Sequence, residues 1–287
     1  MVNGGACSDF RRTYPNLWDN EGMFTCLRLP LALATSFVLV GCTGFGGGKV
    51  QDESGQTFNV DQVAMQEELP KFSTQTPQEG MPTGWSFYRI APNKKNTVYR
   101  LENYQGRTIL SANSKTSASG LVVKLRPKLA QNLWLKWEWK ATGPILGADN
   151  TERVHDDSPL RILVAFDGNK SKLSFKEKMT FEMAHLVSGQ ELPYATLMYI
   201  WSGKSPVNTI LDNPHTTRIK MIVVDSGSEK VGEWLMHQRD LTADFQAAYG
   251  EAPGQVIGIA LLTDTDNTKT ETKAYYGDIE LIRKNQK

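Results

Sequence analysis

The chain has almost no cysteine, and what it has is misplaced for a structural role. Its three cysteines are Cys7, Cys26 and Cys42, so no residue after position 42 can form a disulfide, offer a thiolate to a metal or act as a thiol nucleophile. Histidine is equally scarce. His155, His185, His215 and His237 are too far apart for a helical HExxH zinc site. There is no phosphate-cradling glycine loop and no nucleophile elbow. Nor is there an excess of one charge: the formal net charge is +1, with Lys and Arg scattered. That argues against a nucleic-acid footprint, which needs a basic face. Long apolar runs are also missing, since the one candidate near the start is shorter than the roughly 20 residues that span a bilayer.

That short run, Leu29–Gly41, ends on Cys42 with the small Gly41 before it. Arg28 precedes it and no acid lies between Met23 and Cys42, the pattern of a cleavable secretory signal. It resembles a bacterial lipobox, in which the cysteine thiol receives a diacylglycerol and the leader is removed. Residues 1–22 carry Asp9, Asp19 and Glu21 and do not fit an export signal, so translation is expected to begin at Met23. The expected organisation is a leader over 1–41, a lipidated tether over 42–79 and one domain over 80–287. Gly46–Gly48 and frequent Gln, Ser, Thr and Pro suit a tether. Within it Val60–Leu69 reads as a short helix. Thr43 after the cysteine, by resemblance to Gram-negative lipoproteins, implies the periplasmic face of the outer membrane.

From Gly80 onward the dominant period is two. Leu133, Leu135, Trp137 and Trp139 share one strand face, with Trp134, Lys136, Glu138 and Lys140 on the other. Leu160, Ile162, Val164 and Phe166 alternate in the same way with Arg161, Leu163, Ala165 and Asp167. Ile219, Met221 and Val223 alternate with Arg218, Lys220 and Ile222, and further strands are expected near 85–90, 98–101, 108–112, 120–125, 196–201, 256–262 and 274–282. Two helices break the pattern. Phe175, Met179, Met183 and Leu186 recur at helical spacing before Gly189, and Ala243–Tyr249 precedes Gly250. Many short strands with two inserted helices predict a mainly β, antiparallel sandwich of jelly-roll type.

Several motifs recur together: Leu133–Trp139, Asp156-Asp157-Ser158-Pro159-Leu160-Arg161 running into Val164–Gly168, Tyr199–Trp201, Asn213-Pro214, Trp234, Arg239-Asp240, Asp264–Thr268 and Tyr275–Ile279. Together they resemble the bacterial family called domain of unknown function 3047, from about Gly84 to Ile282. The resemblance implies domain boundaries and an envelope location, and no activity. A looser likeness is to jelly-roll carbohydrate-binding modules, whose last strands carry an aromatic-rich stretch with an Asp, as Tyr275–Leu281 does here.

Candidate ligand-binding residues are Asp156, Asp157, Arg161, Asp167, Trp201, Arg239 and Asp240. An Arg beside carboxylates can bind an anion or sugar hydroxyls, and paired acids can cleave glycosides. The plainer reading is a strand-edge salt bridge, and an Arg–Asp pair holding the second helix to the sheet. Trp134, Trp201 and Trp234 could stack on sugar rings, although Trp in such strands is more often core. Asp264, Asp266 and Asn267, with Asp278 across a neighbouring strand, offer oxygens suited to Ca²⁺, against a hairpin loop capping its own amides. The expected function is an envelope lipoprotein binding a ligand, with a glycan first in line. A glycan-active hydrolase or lyase using Asp156, Asp157 or Asp167, and an assembly protein of the outer membrane, are the alternatives; no residue is assigned to catalysis.

Overall fold

The computed structural model describes residues 49–51, 57–59, 64–91, 93–188, 191–284. Cys42, the leader, the proposed start at Met23 and Gly189 lie outside these residues. Two short strands, β1 (Lys49–Gln51) and β2 (Thr57–Asn59), pair with each other in an antiparallel ribbon.

Two sheets form the sandwich. The first has six strands in the order β13-β8-β15-β6-β5-β3: β13 (Leu235–Asp240), β8 (Leu133–Ala141), β15 (Glu271–Arg283), β6 (Arg107–Lys115), β5 (Val98–Tyr104) and β3 (Gln78–Glu79). The second has seven in the order β11-β12-β10-β9-β14-β7-β4: β11 (Ile210–Asp212), β12 (Ile219–Ser226), β10 (Ala195–Ser202), β9 (Ser158–Phe166), β14 (Gln255–Asp264), β7 (Ala118–Leu129) and β4 (Ser86–Arg89). The sandwich is therefore the expected mainly β fold, with one exception to its antiparallel order. β10 and β12 run parallel, because the chain between them crosses over through β11 instead of turning back directly.

The core follows the period-two pattern. Along β8 the residues alternate between buried and half-buried, which puts Trp137 and Trp139 inside and Trp134 outside. From β9 come Leu160, Ile162, Val164 and Phe166, all fully buried in the same cluster. Trp139 donates its indole N–H to Asp225 Oδ2 at 2.7 Å, and His237 Nε2 lies 2.7 Å from the same oxygen. The polar edge of Trp139 is thus satisfied inside the sandwich. Met221 and Val223 do not join this core. They pack with Leu163, Met198, Ile200, Ala260 and Leu262 on the opposite face of the seven-stranded sheet, while Ile222 and Val224 point inward.

Two boundaries differ from the composition-based reading. Residues 64–69 form no helix; Gln66 instead makes a parallel bridge to Leu125. Leu69 and Phe72 are buried in the main core, and Phe72 stacks on Trp85 with ring centroids 5.1 Å apart. Part of the segment read as tether therefore belongs to the folded unit, because two large apolar side chains there gain burial.

α1 (Phe175–Ser188) and α2 (Leu241–Tyr249) are the two expected helices. α2 begins at Asp240, whose carboxylate accepts the N–H groups of Thr242 and Ala243, and ends at Gly250 in the left-handed conformation, φ 72°. Asp240 is thus the N-cap of α2. Asp240→Ala is expected to cost about 1 kcal/mol, read as a shift in the urea midpoint at unchanged slope. On α1, Phe181 packs against the core, but Phe175, Met179 and Met183 are exposed.

Candidate functional site

β9 is a central strand, paired with β10 on one side and β14 on the other. Its alternation turns Arg161 away from the sandwich core, yet the residue is only 1% exposed. A buried guanidinium needs partners on every N–H. Its Nε donates to Asp264 Oδ1 at 3.0 Å, and its Nη2 donates to Asp156 Oδ1 at 3.0 Å and to the Asp156 carbonyl at 2.8 Å. Nη1 rests against the sulfurs of Met198 and Met221 at 3.4 Å and 3.9 Å.

The acids are held as firmly. Asn150 Nδ2 donates to Asp156 Oδ1 at 3.1 Å. Ser158 N–H donates to Asp264 Oδ1 at 3.0 Å. Asp157 accepts the N–H groups of Asn267 and Thr268, at 3.2 Å and 2.6 Å, and the Thr268 hydroxyl at 2.7 Å. The loop entering β9 is thereby tied to the loop leaving β14, more than a hundred residues later in the chain.

Burial opposes the charge on both sides of the pair. Burial pulls the Arg161 pKa down, but Asp156 and Asp264 overcome it and the group stays firmly cationic. Burial pushes the Asp264 carboxyl up to about 7, opposed by Arg161 and assisted by Asp157 and Asp156. A carboxyl raised in the folded state stabilises the fold fully below its unfolded pKa of 3.8 and loses that contribution as pH rises to about 7. Asp149 behaves in the opposite sense. Burial raises it, but Lys204 and Thr151 outweigh that and bring it down to about 2, so its contribution is lost only as pH falls from 3.8 through about 2. Asp264→Asn is accordingly expected to flatten the decline in stability between pH 4.5 and 7.5. Urea midpoints at those two pH values would check this, and an unchanged slope would refute it.

One carboxylate oxygen from each of Asp157, Asp264 and Asp266 comes within 4.8 Å of the others. The residues do not fit a Ca²⁺ ion well. Arg161 already sits on Asp264, Lys94 is ion-paired with Asp266, and Asp157 is occupied by three donors. A hard dication wants six or more oxygens and no neighbouring cations. The other two sequence candidates do not add ligands. Asn267 donates its side-chain amide to the Arg153 carbonyl at 3.0 Å. Asp278, on β15, accepts the Ser73 N–H at 3.0 Å and the Ser73 hydroxyl, a partnership invisible to strand spacing.

The remaining candidates lie apart from this network. Asp167 is exposed and caps the Gly168 N–H at 2.7 Å, so it does not pair with Arg161 despite its even spacing, because β9 ends at Phe166. Trp201 is 1% exposed and donates to the Gly227 carbonyl at 2.9 Å, so it is core and offers no face for stacking. Arg239 makes a two-pronged pair with Asp244, at 2.8 Å and 2.6 Å, and Tyr199 donates its hydroxyl to the same carboxylate at 2.8 Å. That pair fastens α2 to the sheets. The outward aromatics gather elsewhere, on the six-stranded sheet, where Tyr104, Trp234 and Tyr275 lie with centroids 5.5 to 6.3 Å apart and Arg107 covers Trp234 at 4.4 Å.

The feature that sequence spacing missed is a cavity of about 500 Å³ between α1 and the loop from Asn213 to Arg218. Glu177, Phe181, Asn213, His215 and Arg218 are among its walls. Arg218 is braced by its Nε–H to the Tyr194 carbonyl, 2.8 Å, and lies over the Tyr194 ring at 4.2 Å. Glu177 accepts the Thr217 hydroxyl at 3.1 Å and lies 3.8 Å from Arg218. Hydrogen bonds from Ser174 hold the Glu177 carboxyl below its usual range. His215 Nε2 is 3.7 Å from Asp156, so the cavity adjoins the buried Arg161 network. Burial keeps His215 below its ordinary pKa, although Asp156 opposes this. The only prior sign of this place was Asn213-Pro214, and its partners on α1 lie far away in the chain.

Residues 83–280 match the model of a family described as protein of unknown function, DUF3047. A search of curated proteins finds no match. Among solved structures, a family 11 carbohydrate-binding module from Clostridium thermocellum, in complex with a mixed-linked β-1,3-1,4 tetrasaccharide, is similar at 11% identity and TM-score 0.37, over 77% of this chain and 97% of that one. A family 12 xyloglucanase from Bacillus licheniformis is similar at 7% identity and TM-score 0.40, over 76% and 99%. The adhesin domain of Lys-gingipain from Porphyromonas gingivalis is similar at 10% identity and TM-score 0.35, over 77% and 100%.

Proposed function

The chain belongs to the DUF3047 family, whose name carries no activity, and from that premise we propose that it is an envelope lipoprotein whose sandwich binds a glycan in the α1 cavity. The observation that carries this is the composition of the cavity wall. Arg218 and Glu177, 3.8 Å apart, supply donors and acceptors side by side, Asn213 and hydroxyls add more, and the Phe181 ring supplies an apolar surface. Sugars present that mixture, with hydroxyls at the edges and an apolar ring face. The volume lies within the range of small-ligand sites.

Binding is favoured over hydrolysis by the carboxylates. Glycoside cleavage uses two carboxyl groups facing one bond, roughly 5 to 10 Å apart. Among the described residues lining the cavity, Glu177 is the one carboxylate. Asp156 and Asp157 are buried and committed to Arg161 and to loop amides, and Asp167 is an exposed turn residue.

Isothermal titration with peptidoglycan fragments and neutral and acidic polysaccharides tests this reading. Arg218→Met and Glu177→Gln should each weaken any binding by about tenfold, the order expected for losing a hydrogen bond to a charged group. Binding that both variants leave untouched would place the ligand elsewhere, and no heat with any glycan would remove the reading. The anchor has its own check: Cys42→Ala should abolish palmitate labelling and release the protein from membranes. Attachment to the periplasmic face of the outer membrane is part of the same proposal, supported by Thr43 after the cysteine.

A further inference from the structure

α1 has two opposed sides. At 3.6 residues per turn, Phe175, Met179 and Met183 fall within about 80° of one another, while Glu177 and Phe181 fall on the far side. The far side faces the protein and the cavity: Phe181 packs on the core, and Glu177 is held by Ser174 and Thr217 beside Arg218. The near side is bare. Phe175 is 80% exposed, Met179 48% and Met183 55%. Three large apolar side chains in one stripe are an exposure that normally marks an interaction surface.

We infer that this stripe rests on an anionic lipid surface. Charge selects that occupant. Lys176 and Lys178 flank the stripe and are exposed, and Lys170 and Lys172 stand just before the helix, the first paired with Glu191 and the second 4.0 Å from Glu251. Glu177 is turned to the protein, which leaves Glu182 as the exposed acid over residues 175–183. A short helix with aromatic and Met side chains on one side, lysines at its flanks and its back fixed to a domain lies in the plane of a bilayer interface. Fourteen residues are too few to cross one. The contact needs no acyl chain, and its apolar stripe does not line the cavity behind α1, although Lys176 borders both.

The full chain should be treated with dilute peroxide, with and without vesicles, and methionine oxidation followed by mass spectrometry. Met65 and Met236 are 62% and 67% exposed and serve as internal references. Vesicles containing phosphatidylglycerol should slow oxidation of Met179 and Met183 roughly fivefold or more while sparing the references, since a buried thioether is shielded from oxidant. Phosphatidylcholine vesicles or high salt should reduce the protection, as should Phe175→Ser with Lys178→Glu. Equal oxidation of all four methionines on vesicles overturns the inference, even if the protein sediments with lipid through its leader. Protection that develops without lipid as protein concentration rises overturns it too, by naming a second copy as the occupant. Glycan titrations do not bear on either result.

Discussion

Arg161→Ala is expected to lower the unfolding free energy by about 3–5 kcal/mol, the usual cost of removing one partner from a buried ionic cluster. The loss comes from what is left behind. Asp156 and Asp264 would remain buried with their shared cation gone, and two carboxylates in a low-dielectric site cannot both keep their charge cheaply. Asp264 already sits at about 7, so the variant has an escape through protonation. The destabilisation should therefore be larger at pH 8 than at pH 5. Urea unfolding at both values measures it. A second variant separates charge from packing. Arg161→Met combined with Asp156→Asn and Asp264→Asn removes the whole ionic set, and it should recover much of the loss. A loss of less than 1 kcal/mol in Arg161→Ala at pH 8 would mean that the network does not hold the two loops.

Trp139→Ala is the second large effect, again about 3–5 kcal/mol. The ring is fully buried and packs edge-on against Trp137 at 5.5 Å. Its removal leaves a cavity and strips Asp225 of its indole donor, with His237 as the remaining partner. Trp134 provides the contrast. It lies on the same strand, half-buried on the outer face under Lys284. Trp134→Ala should cost well under half as much, because its face is already partly in water. Thermal or urea unfolding of the two variants would reverse the assignment of faces if Trp134 proved the costlier loss.

The same strand shows how much could be read in advance. Alternation in β8 and β9 placed Trp137, Trp139, Ile162 and Val164 inside, and the structure agrees. Alternation could not say that the outer face of the seven-stranded sheet is also covered, so it left open which face Met221 and Val223 occupy. A period of two separates the faces of a strand but does not reveal what lies on each. The helices were legible from their spacing and from Gly250, whereas the exposure of the α1 stripe was not, since periodicity is the same whether a face meets protein or solvent.

The site was legible in its parts and not in its pairing. Residue types marked Asp156, Asp157 and Arg161 as one polar group and Asp264 as a separate metal candidate, and the structure joins those four. It sends Asp240 to a helix cap, Asp278 to Ser73 and Trp201 to the core. By itself the sequence determined the class of fold, the inward faces of β8 and β9 and the removal of thiol chemistry after Cys42, because these follow from local period and composition. Only the tertiary structure decided that Arg161 is locked between an acid from the loop before β9 and one from the end of β14, and that Glu177 and Arg218 share one cavity. Such contacts are set by which strands lie side by side, and nothing in local sequence encodes that.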